Sequence, residues 1–242
     1  MQDGTGATVH HTAMRHLAVA SISPLVAWGL VAGGAFFLAG GPMHPKEDPP
    51  GVSVKEHLRV MYEDSSWYSG HAVLLIGMVL IAASLVTLAR SRSMAGVPRA
   101  HVAVLVAAVA AAAAAPAMLL HLIAAVDADA IAADRSTPIS DVMVIVDTIT
   151  VPAFGFGIAA LAVVGAMTRT LGNWASAAAG VLGGVGYGLA GATFLFTDKL
   201  NALFPAASGI AVWTIAAGIG LLLRRRAPNL AAHSMPATAV ER

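Results

Sequence analysis

The chain of 242 residues contains no cysteine. Without thiols the protein forms no disulfide, offers no thiolate to a metal and has no cysteine nucleophile. Charged residues are also scarce, because Lys, Arg, Asp and Glu make up 11% of the chain, whereas about 25% is usual in globular domains. The formal net charge is only +1, and the basic residues are dispersed. This distribution argues against a nucleic-acid partner.

The sequence is instead dominated by long apolar runs, and hydrophobic residues make up 57% of the chain. A bilayer core about 30 Å thick is crossed by about 20 helical residues. Six runs approach or exceed that length, at residues 17–40, 66–90, 101–125, 142–167, 174–196 and 206–223. The sequence therefore predicts an all-α integral membrane protein with a bundle of six transmembrane helices.

Polar segments divide the chain around these runs. Residues 1–15 are predicted to be an N-terminal tail, residues 16–226 the transmembrane domain and residues 227–242 a disordered C-terminal tail. Between the first two spans, the proline-rich residues 41–50 predict a loop, and residues 126–141 predict a second polar loop.

A short amphipathic helix is predicted over residues 53–64, after the first span. Ser53 to Glu56 matches a capping box, in which the two side chains bind each other's backbone N–H groups. Apolar side chains then recur at helical spacing, at Val54, Leu58, Met61 and Tyr62. A helix of this kind is expected to lie at the membrane surface.

The positions of the arginines predict the orientation. Placing both termini in the cytoplasm collects most of them on that side, namely Arg15, Arg90, Arg92, Arg99, Arg169 and Arg224 to Arg226. The positive-inside rule favours this topology, and we expect it in the cytoplasmic (inner) membrane of a bacterium. The acidic loop residues then face outward.

Three ionisable side chains fall at one depth near the outer ends of their spans. His71 lies about four residues into the second span, His121 about four residues before the end of the third, and Asp147 about five residues into the fourth. Lipid offers such groups no hydrogen bond, so they must find partners within the protein. The loop residue His44 is expected to fold over the same position.

Two kinds of ligand fit these side chains. His71, His121, Asp147 and His44 suit a divalent transition metal such as zinc, iron or copper. Alternatively, His71 and His121 on facing helices suit the axial positions of a b-type haem. Met78 and Met118 lie on the faces of the two histidines and favour copper among the metals. A third interpretation is a structural clamp, in which Asp147 only hydrogen-bonds a histidine across the helices.

The fifth span carries Gly180, Gly184 and Gly188 at four-residue intervals. This small-residue spacing brings membrane helices into contact, and it predicts a face for a homo- or hetero-oligomer. A serine-nucleophile elbow, a zinc-protease helix motif and a phosphate-binding loop are all missing from the sequence. Their absence disfavours a serine hydrolase and an ATP-driven pump.

The first four spans resemble a broad group of bacterial multi-pass membrane proteins, the domain-of-unknown-function families common in actinobacteria. The resemblance is carried by Met43-His44-Pro45, by the amphipathic segment, and by Gly70-His71 before a leucine-rich span that ends in arginine. It implies the architecture and points to His44 and His71, but it transfers no reaction.

These observations predict a membrane protein that binds a metal or a haem and uses it for redox or metal-dependent chemistry. The bilayer is its first partner, and the expected substrate is a lipid-soluble, quinone-like molecule or another small molecule outside the cytoplasm. Two other functions remain open, a proton- or ion-coupled transporter and a non-catalytic accessory subunit. The sequence does not decide whether the protein is an enzyme.

Overall fold

The structure is a computed structural model that describes residues 22–45, 52–94, 96–193, 196–197 and 199–233. The described residues form helices and their connections, with no strand among them. The α-helices are α1 Pro24–Met43, α2 Val54–Glu63, α3 Trp67–Arg90, α4 Pro98–Ile123, α5 Ala128–Ala132, α6 Pro138–Thr168, α7 Trp174–Thr193 and α8 Ser208–His233. Short 3-10 helices cover Arg92–Met94, Ala124–Asp127 and Asn201–Ala207.

Six helices, α1, α3, α4, α6, α7 and α8, are long and apolar enough to cross a membrane. They confirm the predicted all-α fold of six spans, and the protein is an integral multi-pass membrane protein. Each spanning helix packs against the next one along the chain, and α8 returns to pack against α1. The helices therefore form a closed ring of antiparallel neighbours.

The antiparallel order gives the bundle two ends of opposite charge. We call one end the acidic face, because it carries Glu56, Glu63, Asp64, Asp127, Asp129, Asp134 and Asp141. The other end is the basic face, which carries Arg90, Arg99, Arg169, Arg224 and Arg225. The predicted topology places the acidic face outside the cytoplasm.

Close contacts at glycines hold neighbouring helices together. A Cβ added to Gly77 in α3 would lie 2.6 Å from the Phe37 nitrogen and 2.9 Å from the Gly33 oxygen in α1. The Gly180, Gly184 and Gly188 stripe of α7 is likewise buried, against Ala162, Gly155 and Phe156 of α6 among others. The prediction that this stripe binds another chain is therefore wrong, because α6 and α8 already cover it.

Aromatic rings join α1, α6 and α7 across the interior. Phe37, Phe154 and Tyr187 meet edge to face with ring centroids 6.3 to 6.4 Å apart. Phe204, from the 3-10 helix before α8, adds a fourth ring 5.9 Å from Tyr187. These rings belong to a continuous apolar core that runs along the bundle.

The predicted amphipathic helix is present as α2. Ser53 caps it, since its Oγ accepts a hydrogen bond from the Glu56 N–H at 3.1 Å. The Glu56 carboxylate, however, binds the Arg59 guanidinium at 2.7 and 2.9 Å. Leu58, Met61 and Tyr62 are buried as expected, whereas Val54 is exposed.

The predicted loop over residues 126–141 is partly helical, and this is a correction. It contains α5, and α6 begins within it at Pro138. The apolar side chain of Ile131 explains the ordering, because it is buried in the same cluster as Leu58 and Met61 of α2. Lys55 also pairs with Asp134 at 2.5 Å. We call α2 together with residues 124–141 the cap.

Several predicted segments extend beyond the described residues. Residues 1–21, which include the N-terminal tail and the start of the predicted first span, are not among the residues that the structure describes. Helix α8 continues to His233, past the predicted end of the last span. Residues 234–242 of the predicted disordered tail are again outside the description.

The contact between α1 and α3 predicts the effect of a small substitution. We expect Gly77→Ala to lower stability by about 1 to 3 kcal/mol, because the new methyl group meets backbone atoms that cannot move aside. Thermal unfolding of the detergent-purified protein measures this. Gly220→Ala is the matched control, since a Cβ there has no atom within 4 Å. Equal unfolding midpoints for both variants would contradict the prediction.

Candidate metal centre

Three helix ends bring three histidines together at the acidic face. His44 is the C-cap residue of α1, and its backbone N–H donates to the Gly41 oxygen at 3.1 Å. His71 lies one turn after the start of α3, and His121 lies in the last turn of α4. Because α3 packs antiparallel to both α1 and α4, the ends of α1 and α4 and the start of α3 bring all three side chains to the same depth.

Gly70 allows His44 to approach His71. A Cβ on Gly70 would lie 2.6 Å from the Met43 oxygen and 3.2 Å from the His44 nitrogen. Any larger residue would therefore push the end of α1 away from α3. With glycine there, the centroids of the His44 and His71 rings lie 4.6 Å apart.

The three imidazoles form a compact group. The rings of His71 and His121 are stacked, with centroids 4.8 Å apart and an angle of 24° between their planes. One ring nitrogen from each of His44, His71 and His121 lies within 4.8 Å of the other two. His71 is 1% exposed, and the other two histidines are partly buried. Such a group can hold a metal ion.

Hydrogen bonds fix which nitrogen of each ring carries the proton. Nδ1 of His71 lies 2.7 Å from the Trp67 carbonyl oxygen, and Nδ1 of His44 lies 3.1 Å from the Pro45 carbonyl oxygen. A carbonyl oxygen only accepts, so both Nδ1 atoms must donate a proton. In each neutral ring, Nε2 then keeps the lone pair that binds metals.

Asp147 completes the same pattern at the third histidine. Its Oδ2 lies 2.5 Å from Nδ1 of His121, between α6 and α4. An ionised carboxylate accepts this hydrogen bond and leaves Nε2 of His121 available. Asp147 was predicted as a metal ligand, but it stands behind the His121 ring and not among the three clustered nitrogens.

Three imidazole nitrogens this close together suit a positive centre or several hydrogen-bond donors. Nε2 of His71 is buried and has no hydrogen-bond partner. A single water molecule has two protons, so it cannot donate to three acceptor nitrogens at once. One metal ion bonded to all three nitrogens satisfies every lone pair. A purely structural clamp would leave the lone pair of His71 Nε2 unpaired.

Trp67 is a component of the site that the sequence analysis did not identify. Its side chain is 0% exposed. Its ring lies 3.9 Å from the His71 ring and is stacked 5.2 Å from the His121 ring at an angle of 15°. Its indole N–H donates to the Leu122 oxygen at 3.2 Å. The four-residue spacing of Trp67 and His71 was the available signal, because it places both on one helix face.

The cap covers the site through Tyr62. The Tyr62 ring meets Trp67 edge to face at 4.7 Å, and its hydroxyl lies 3.1 Å from Oγ of Ser140. The Ser140 backbone N–H in turn donates to the buried Asp127 carboxylate at 2.7 Å. Burial raises the pKa of Tyr62 to about 12. The cap therefore contacts the site through a neutral phenol ring.

The methionines and the other described histidine of the spans lie away from this group. Met78 is buried in the apolar core, and Met118 packs against the same core. His101 is near the start of α4, at the basic face.

The fold and the site together define an integral multi-pass membrane protein with a buried three-histidine group that can hold a metal ion. No protein-family model, no curated protein and no solved structure matched the chain. The predicted resemblance to actinobacterial families is thus supported in its multi-pass architecture, and membership of a family stays a prediction.

The buried position of His44 predicts how stability depends on pH. Burial, and then the neighbouring His121, lower the pKa of His44 to about 4, whereas an unfolded histidine titrates near 6.5. Between these values the unfolded chain binds a proton that the folded chain does not. The contribution of His44 to stability is therefore complete above about pH 6.5, and at most about 3 kcal/mol of it is lost as the pH drops to 4.

Thermal unfolding of the metal-free protein at several pH values between 7 and 4 checks this prediction. We expect His44→Gln to lose part of the pH dependence, because glutamine does not titrate. An unchanged slope in that variant would show that other groups cause the dependence.

Proposed function

We propose that the protein is a membrane-embedded metalloprotein in which Nε2 of His44, His71 and His121 bind one transition-metal ion. The observation that carries the proposal is the convergence of one nitrogen from each ring within 4.8 Å, with each Nδ1 held by an oxygen. Imidazole ligands suit zinc, copper, iron and nickel. The donor set therefore favours these metals over calcium or magnesium, which prefer oxygen ligands.

The three ring nitrogens suit one metal ion if the rings move slightly closer together. Metal–imidazole bonds of 2.0 to 2.1 Å in a tetrahedral site place the nitrogens about 3.4 Å apart. The rings would have to close by at most about 1.4 Å from their present 4.8 Å. His44 is the ring best able to move, because its Nδ1 bonds only to the neighbouring Pro45. Three ligands leave a fourth position for water or a substrate.

Asp147 acts in this proposal through His121. A carboxylate that accepts the second N–H of a metal-bound histidine fixes the ring orientation and makes the ligand more basic. Asp147 also brings one negative charge beside a site whose three ligands are neutral. That charge offsets part of the cost of placing a cation in a poorly solvated environment.

The ring arrangement fits an ion better than a haem. Two histidines on opposite sides of a haem iron have ring centres about 6 Å apart, with the porphyrin between them. The His71 and His121 rings are instead stacked 4.8 Å apart, and the Trp67 ring stacks on His121 and contacts His71 at a tilt. The haem hypothesis would require these three rings to separate.

A bound ion of this kind supplies Lewis-acid or redox chemistry. His121 and Asp147 are among the partly exposed members of the site, with side chains 22% and 14% exposed. They offer an approach for a lipid-soluble or aqueous small molecule. An accessory subunit is less favoured, because the predicted oligomer face at Gly184 is buried within the chain and His71 Nε2 is unpaired.

Removing the ligands tests the proposal directly. We expect the purified protein to bind one equivalent of Co²⁺ or Zn²⁺, and His71→Ala or His121→Ala to bind at least 100-fold more weakly. Isothermal titration and elemental analysis measure affinity and stoichiometry. His101→Ala is the control, since it removes a histidine near the basic face. Full binding by both ligand variants would refute the three-histidine site.

Asp147→Asn distinguishes an orienting residue from a direct ligand. We expect metal affinity to fall about 10- to 100-fold, with the stoichiometry and the Co²⁺ absorption spectrum unchanged, because the same three nitrogens bind the ion. Asp141→Asn, an exposed carboxylate on the same helix, is the control. A changed Co²⁺ spectrum in Asp147→Asn would make Asp147 a ligand.

A further inference from the structure

We propose that the three-histidine site exchanges its ion with the acidic face only and is closed toward the basic face. This inference rests on the proposed metal site. It adds the form in which the ion arrives and the face from which it enters. The ligand is an aqueous metal cation that arrives at the acidic end of the bundle. The site is then the end of the ion's path and not a step on a route across the membrane.

The position of the site along the helices is strongly one-sided. His71 lies four residues after Trp67, the first residue of α3, which is about 6 Å along the helix axis. The last residue of the same helix, Arg90, is about 28 Å away from His71 along the axis. An ion at the site is therefore close to one end of the bundle and separated from the other by nearly a full bilayer core.

Charge favours arrival of a cation at that end. The carboxylates that the structure describes are all at or near the acidic face, namely Glu56, Glu63, Asp64, Asp127, Asp129, Asp134, Asp141 and Asp147. Lys55, Arg59, Arg135 and Lys199 neutralise them only in part. A surface of one predominant charge raises the local concentration of counter-ions and steers them inward. The arginines of the basic face have the opposite effect there.

The interior between the site and the basic face is apolar. Below His71 on α3, the buried side chains are Leu74, Met78, Ile81, Leu85 and Leu88, with a single hydroxyl at Ser84. Below His121 on α4, they are alanines and Val104. Elsewhere among the described residues, the buried hydroxyl of Thr214 bonds to the Ala211 oxygen of its own helix. The other buried polar groups of the spans' interior include the phenol of Tyr187 and the indole N–H of Trp213.

Between the three-histidine group and His101 in the first turn of α4, the described interior offers no imidazole or carboxylate to a cation that leaves toward the basic face. Phe37, Phe154 and Tyr187 also fill the centre of the bundle with ring edges. Moving an ion from nitrogen ligands into close-packed hydrocarbon is strongly unfavourable. The His121 and Asp147 side of the site keeps some exposure instead. Exchange is thus expected past these two residues.

The absence of cysteine makes a sided test simple. Single cysteines are introduced at Ser136 on the acidic face and at Gly96 on the basic face, since both residues are exposed. An impermeant maleimide then reports what fraction of the protein presents each face outward in proteoliposomes. The protein is loaded with Co²⁺, reconstituted and treated with external EDTA, and loss of the Co²⁺ absorption is followed.

We expect EDTA to remove Co²⁺ from the fraction whose Ser136→Cys label is accessible and to leave the remaining Co²⁺ in place. Stripping of the fraction that matches the Gly96→Cys label, or complete stripping in intact vesicles, would overturn the inference. The same detergent-purified protein is titrated with Co²⁺ beforehand. If the protein in detergent binds no Co²⁺, the proposed metal site is refuted, and this inference with it. If the protein binds Co²⁺ but EDTA removes the ion from both faces, only the one-sided exchange is refuted.

Discussion

Polar atoms buried at the end of a membrane bundle have to satisfy one another, because lipid supplies no hydrogen bonds. Around His44, His71 and His121, every Nδ1 meets this requirement through an oxygen of the protein. Nε2 of His71 does not, because it is buried without a hydrogen-bond partner, and one ring nitrogen of each of the other two histidines lies within 4.8 Å. The rest of the site's chemistry depends on this imbalance, and a metal ion resolves it with one bonded centre.

The helix packing holds the rings in this arrangement. Gly70 lets the end of α1 touch α3 and so places His44 beside His71. Trp67 supplies both the carbonyl that orients His71 and the ring that stacks on His71 and His121. The cap closes over Trp67 through Tyr62. These contacts are of the kind that ordinarily pack membrane helices together. Here they also determine the positions of the three histidine rings.

The bundle separates a polar end from an apolar body. All the ionisable groups of the site lie at the acidic face, while the core toward the basic face is filled by alkyl and aromatic side chains. This separation suits a site that acquires an ion and keeps it for chemistry at the membrane edge. It suits a transporter less well, because transport requires ligands along a path that reaches both faces.

The sequence by itself determined the six spans, the surface helix and the depth of His71, His121 and Asp147, because hydrophobic run length and helical periodicity are local properties. Only the tertiary structure decided that His44 joins His71 and His121, that Asp147 stands behind His121 and that Trp67 is buried beside the His71 and His121 rings. It also decided that the Gly180, Gly184 and Gly188 stripe is used within the chain. These features depend on the rotation of each helix about its axis, which side-chain packing between helices sets and which no single segment encodes.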